Sequence, residues 1–223
     1  MTFRNRLQFL LVLRLQISNK EALHLIISGK VLVNGIISKS NCELSQTDEV
    51  IYDGKVLQEA KKLIYIAFYK PRGIETTLNV AIEDNLKAIL PFEADVFPVG
   101  RLDKESEGLL LLTNDGTVYD KILRNENKTE KDYVVQVDKP ITSEFLETMS
   151  EGIVIMGRKT LPCQLIQIND LTFKITLIQG LNRQIRRMCY KLNYEVLGLK
   201  RVRIGDVNLE NLKAGEYRIL EVL

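Results

Sequence analysis

Four consecutive leucines, Leu109 to Leu112, lie between Gly108 and the stretch Thr113-Asn114-Asp115-Gly116. The run is too short for a helix of ordinary length and is bounded by turn formers, so it predicts a buried strand. Asn, Asp and Gly tolerate left-handed backbone, so Asn114-Asp115-Gly116 predicts a tight turn after it. Just upstream, Arg101-Leu102-Asp103-Lys104-Glu105-Ser106-Glu107 forms a charged loop between Gly100 and Gly108. Asp103 is therefore expected on a loop that feeds straight into the core, where a carboxylate held by a rigid strand is well placed for chemistry. The competing reading is a solvated surface loop.

The chain must bury the rest of its apolar residues around that strand. With 223 residues, 45% hydrophobic and 27% charged, it has material for one large or two small cores. Three scattered cysteines, Cys42, Cys163 and Cys189, fit neither a disulfide framework nor a zinc site and point to a reducing cytoplasm. A single histidine, His24, excludes any site that needs two, and it reads as structural or surface. No apolar run reaches the roughly 18–20 residues of a membrane span. Phe9-Leu10-Leu11-Val12-Leu13 is cut short by Arg14 and followed by no small-residue cleavage site, so it reads as a core helix rather than a signal peptide.

Residues 7 to about 16 predict a first helix. Ser18-Asn19-Lys20-Glu21 is a capping box that opens a second, and Gly29 is placed to end it. Val31-Leu32-Val33, Asn34-Gly35 and Ile36-Ile37 predict a type I′ hairpin, and Val50-Ile51-Tyr52 with Asp53-Gly54 adds a further strand and turn. Glu59-Ala60-Lys61-Lys62 reads as a linker. Beyond it, strands are expected at 64–69, 130–137, 153–156, 161–168 and 172–178, and helices at 117–124 and 140–149. The second informative stretch is Gln179-Gly180-Leu181-Asn182-Arg183-Gln184-Ile185-Arg186-Arg187-Met188-Cys189. Asn182 is a plausible N-cap, and Ile185, Met188, Cys189 and Leu192 form one apolar stripe. From Leu181 to Arg203 there are seven cations and one anion, a net +6 in a chain of net +2. That is the footprint of an anionic partner. The alternative is a solvated helix face, which would ordinarily mix its signs.

Gly100-Arg101-Leu102-Asp103 with Gly108-Leu-Leu-Leu-Leu-Thr-Asn-Asp-Gly116, together with Asn182-Arg-Gln-Ile-Arg-Arg-Met188, resembles the ribosomal RNA pseudouridine synthases of the RsuA/RluB/RluE/RluF group. The resemblance covers nearly the whole chain, and the wording around Asn182 is most similar to the RluF branch, which acts on 23S rRNA and is linked to a tyrosine tRNA. It implies that Asp103 is the catalytic residue. Ser106 stands where the family usually has Thr and keeps the hydroxyl. Tyr133 of Lys131-Asp132-Tyr133-Val134-Val135 would lie against the target base, the alternative being simple packing on a sheet. Arg186 would pair with Asp103, and Arg101 would fill the gap left by the extruded base. Arg183, Arg187, Lys200, Arg201 and Arg203 would hold phosphates. Lys70-Pro71-Arg72-Gly73 would edge the RNA cleft, where Lys70 and Arg72 either touch RNA or form an ordinary turn.

Residues 5–58 resemble an S4 RNA-binding module, with Lys20 as the one positive charge at the start of its second helix. The expected fold is α+β: an S4-like RNA-binding domain over 1–60, then a catalytic domain over 61–223 built on a mixed, mainly antiparallel sheet with flanking helices. The expected activity is isomerisation of uridine to pseudouridine in structured RNA, either 23S rRNA or a pre-ribosomal particle, with a tRNA as a further candidate. The protein is expected to act in the cytoplasm as a monomer, off the membrane, with no metal and no organic cofactor. A rival is a non-catalytic RNA-binding ribosome-assembly factor, which would not need Asp103, Tyr133 and Arg186 together. A second rival, a hydrolase using the acids around Asp103, lacks any other ligand or base.

Overall fold

A computed structural model describes residues 5–92, 95–123 and 129–221. The backbone divides into two compact units, 1–63 and 64–223.

The first unit holds α1 (Leu7–Leu15), α2 (Asn19–Ile27), β1 (Val31–Val33), β2 (Ile36–Ser38), β3 (Val50–Tyr52) and β4 (Lys55–Gln58). Its strands form one antiparallel sheet in the order β2-β1-β3-β4. The capping box forms as expected: the Glu21 amide donates to Ser18 Oγ, and the Ser18 amide donates to the Glu21 carboxylate. Asn34 and Gly35 both take positive φ, 51° and 76°, which the type I′ turn requires. Leu7, Leu11, Ala22, Ile26, Val31 and Val50 make the core.

The second unit holds β5 (Tyr65–Lys70), α3 (Leu86–Ile89), β6 (Phe97–Val99), β7 (Glu107–Thr113), α4 (Gly116–Leu123), β8 (Lys131–Val137), α5 (Ser143–Glu151), β9 (Val154–Ile155), β10 (Arg158–Lys159), β11 (Gln164–Asn169), β12 (Thr172–Leu177), α6 (Gln184–Lys191), β13 (Val196–Ile204), β14 (Val207–Asn208) and β15 (Tyr217–Leu220). The main sheet runs β11-β12-β8-β13-β7-β5-β15, with β14 on β13 and β6 on β7. Every pairing in it is antiparallel except β13 with β7. The class is α+β with a mixed sheet, as expected. No helix among the described residues is long and apolar enough to cross a membrane.

The leucine run is β7, and its position explains its composition. Leu109 and Leu111 pack with Ala67, Val99 and Val118 on one face. Leu110 and Leu112 pack with Phe68, Leu86 and Val96 on the other. A strand covered on both faces reads as a continuous apolar run. Each fully buried leucine contributes about 1.5–3 kcal/mol of hydrophobic stabilisation.

Two local expectations are corrected. Asn114-Asp115-Gly116 makes no tight reversal, because helix α4 begins directly at Gly116. Asp115 Oδ1 accepts from the Thr117 amide and hydroxyl, which satisfies a free N–H of the first turn, while Asn114 Oδ1 accepts from the Ile64 amide. Asn182 is not the N-cap of α6. That position is Arg183, in left-handed backbone, because the Asn182 amide and carbonyl oxygens both accept from Arg187. Residue 124, expected to end the helix over 117–124, lies outside the described residues.

Candidate active site

Asp103 sits on the loop between β6 and β7, at a cavity of about 520 Å³ that Tyr133, Arg183, Arg186 and Arg201 also line. Four residues fix the loop. The Thr76 hydroxyl donates to the Leu102 carbonyl at 2.7 Å and accepts from the Leu102 amide at 3.1 Å. The Gly73 amide donates to the Lys104 carbonyl at 2.7 Å. Arg186 of α6 donates to the Glu105 carbonyl and to Ser106 Oγ, at 3.1 and 3.4 Å. Arg201 of β13 donates to the Leu109 carbonyl at 2.7 Å and to the Arg101 carbonyl at 3.4 Å. Residues distant in sequence thus converge on five residues of the loop and on Leu109 of β7, and the backbone around Asp103 is set before any substrate arrives.

The motif residues meet here, but the cations play different parts from those expected. Among the described residues, the cation within ion-pair reach of Asp103 is Arg183, with 3.9 Å between Nη1 and Oδ2. Arg186 instead spends its guanidinium on the loop backbone, Ser106 and the Val196 carbonyl. It lies in the cavity wall as a brace rather than as the partner of the carboxylate. Arg183 also bonds Glu105 at 2.8 Å, so its charge is largely answered within the protein.

Three further cations are not free to hold phosphates. Arg201 is 3% exposed beneath the loop. Arg203 is clamped between Asp132 and Glu130, at 2.8 and 2.7 Å. Lys70 is fully buried and donates to the carbonyls of Pro71 and Ile74. Burial, with the charge of Arg201 added, pushes the Lys70 ammonium down to about 8. Lys70 and Arg203 are thus taken up by internal partners, whereas Arg201 lines the Asp103 cavity and keeps its buried Nη2 without a hydrogen-bond partner. Lys200 is half-exposed, 4.0 Å from Glu107. Arg72 is exposed and donates once, to the Leu197 carbonyl. Arg101 is exposed at the cavity mouth, and neither it nor Arg187 makes an ion pair among the described residues. Lys20 is exposed on α2 in the first unit.

Tyr133 emerges from β8 opposite Arg201 of β13, packed at its base against the core. Its neighbour Asp132 is a structural anchor that sequence reasoning did not single out. Burial pushes its carboxyl up, but bonds from Arg203, Lys174 and Thr176 outweigh that and hold it at about 2, below the ordinary 3.8. A depressed folded-state value means stability present above the unfolded value and lost as pH falls through the folded one. The shift corresponds to on the order of 2 kcal/mol. Asp132→Asn should therefore lose about that much at pH 7 and show a flatter stability profile between pH 4 and pH 2. Urea unfolding at stepped pH reads this, and an unchanged profile would contradict it. The hold of Thr76 and Gly73 on the Asp103 loop was not foreseen either, because these contacts span 26 and 31 positions of sequence.

Residues 64–191 match the family described as RNA pseudouridylate synthase. The dual-specificity RNA pseudouridine synthase RluF of Escherichia coli (strain K12) is 44% identical over 205 residues, which is 91% of this chain and 71% of that protein. The ribosomal small subunit pseudouridine synthase A of Vibrio cholerae is 34% identical over 216 residues, 91% of this chain and 90% of that protein. A crystal structure described as pseudouridylate synthase superposes with a TM-score of 0.66 and 30% identity, covering 96% of this chain and 95% of that one. The chain belongs to the RNA pseudouridine synthase family.

Proposed function

We propose that this protein isomerises uridine to pseudouridine in ribosomal RNA of the large subunit, with Asp103 as the reacting carboxylate. The observation that supports this most directly is one fixed carboxylate, Asp103, sharing a cavity with a tyrosine and a cation 3.9 Å away. The resemblance to the RluF branch, with 44% identity to a dual-specificity RluF, favours 23S rRNA with a tRNA as second substrate over a small-subunit target.

The reaction breaks the C1′–N1 glycosidic bond and forms C1′–C5, with no net change in atoms. Asp103 either attacks C1′ and displaces uracil, or removes the C2′ proton to start a glycal. The detached uracil turns in the cavity, and C5 bonds to C1′ as the Asp103–C1′ bond breaks or, in the glycal route, as Asp103 returns the proton to C2′; the C5 proton then leaves as N1 gains one. Tyr133 covers the base during that turn, and its hydroxyl assists the proton on C5. Arg183 orients the carboxylate. Arg186 holds the loop from behind. Arg101, free at the mouth, takes the place of the extruded base in its stack, as a planar guanidinium can. The first unit is an S4-like RNA-binding module that contacts the same RNA through the exposed face of α2, including Lys20. The protein works as a cytoplasmic monomer.

The test is a gene deletion in the host followed by carbodiimide primer-extension mapping of 23S rRNA and tRNA. One or more pseudouridines should vanish and return with the wild-type gene. A map with no lost site, from a protein that binds rRNA without converting it, would favour a ribosome-assembly factor instead.

A further inference from the structure

Helix α6 serves two cavities. Arg183 and Arg186 line the cavity of Asp103, and both also line a second cleft of about 1010 Å³ further along the helix. The second cleft is walled by Arg187, Tyr190 and Lys191 of α6 and by Met156. Tyr190 is 78% exposed and Met156 is 66% exposed. Tyr190 does not belong to the apolar stripe, since Ile185, Met188 and Cys189 bury the opposite face of the helix. Met156 is presented by the tight turn between β9 and β10, with φ of 51°.

The charge of this cleft is also unspent. Arg187 donates only to Asn182, and neither it nor Lys191 has an ion pair among the described residues. The acids nearby are Asp138 and Glu195, and Asp138 already accepts from the Glu195 amide at 2.8 Å. A flat aromatic face, a polarisable thioether and free cations together suit an unstacked nucleobase with its phosphate. One turn of helix, about 6 Å, separates Arg186 from Tyr190, so the two cavities follow one another along a strand.

We propose that this cleft binds a nucleotide flanking the target uridine, with its base stacked on Tyr190 and its phosphate held by Arg187 and Lys191. The inference rests on the reading that the target uridine enters the cavity of Asp103. Extruding one base deprives its neighbour of a stacking partner, and Tyr190 supplies the replacement.

The test compares two labelled probes on the full chain: a nine-nucleotide oligouridylate and an abasic nine-mer with the same phosphates. Binding is followed by fluorescence anisotropy at several salt concentrations. Wild type should bind the oligouridylate more tightly than the abasic chain. Tyr190→Ala should weaken the oligouridylate about tenfold, leave the abasic chain unchanged and keep the salt slope. Tyr190→Phe should bind as wild type does. Arg187→Ala should weaken both probes and reduce the salt slope by about one counterion. The proposal is overturned if wild type does not distinguish the probes, if Tyr190→Ala binds oligouridylate within twofold of wild type, or if Tyr190→Ala weakens both probes equally. None of these readouts depends on turnover, so failure of the Asp103 assignment would show separately, as retained activity in Asp103→Asn.

Discussion

Gly108→Ala should strongly destabilise the second unit. Gly108 opens the leucine strand where β7 meets β13 in the one parallel pairing of the main sheet, opposite Arg201. A Cβ there would lie 2.3 Å from the Arg201 carbonyl oxygen and 2.8 Å from its amide nitrogen. Both atoms are backbone in mid-sheet, so neither can turn aside as a side-chain tip could. The φ of 104° adds conformational strain for any L side chain. Overlap and strain together cost on the order of 3–5 kcal/mol. That is a large part of the 5–15 kcal/mol that holds an ordinary domain together. The displaced strand would also carry the Asp103 loop out of register with Arg201, so activity should fall with stability. Gly116→Ala is the control, since nothing lies within 4 Å of a Cβ at that helix start. Urea unfolding of the two variants should differ by several kcal/mol, and equal midpoints would contradict the close approach of β7 to β13.

Much of the fold was legible because its signals are local. The capping box at Ser18 and Glu21, the Asn34-Gly35 turn and the leucine strand each depend on residues within a few positions of one another. The family motifs likewise brought Asp103, Tyr133 and Arg186 to one cavity. What was not legible was the fate of each cation. A net +6 between 181 and 203 is a count, and a count cannot say which guanidinium lies under a sheet. Arg201 is buried because β13 lies against β7, whose Leu109 carbonyl it bonds from 92 positions away. Arg203 is neutralised because β8 lies alongside and presents Asp132. The substitution of Arg183 for Arg186 as the neighbour of Asp103 has a similar origin. Left-handed backbone at the helix start points Arg183 to the loop, and no side-chain pattern announces that φ. Within the basic stretch Arg203 is taken up by internal partners and Arg201 is buried, while Arg187 and Lys191 make no ion pair among the described residues.

Asp103→Asn should abolish pseudouridine formation while sparing the protein and its hold on RNA. The change is isosteric and leaves the loop bonds to Thr76, Gly73, Arg186 and Arg201 in place, because each is made by a residue other than Asp103 side-chain oxygens. Arg183 keeps its 2.8 Å partner, Glu105. Removing one negative charge beside an anionic ligand does not weaken electrostatic attraction. What is lost is the atom that attacks C1′ or takes the C2′ proton, and an amide does neither. The deciding measurement is single-turnover tritium release from rRNA labelled at C5 of uridine, made with purified wild type and Asp103→Asn, alongside filter binding of the same RNA. The account predicts a rate lowered by on the order of 10⁴-fold or more with affinity within a few-fold of wild type. Tritium release within tenfold of wild type would contradict it and remove Asp103 from the chemistry.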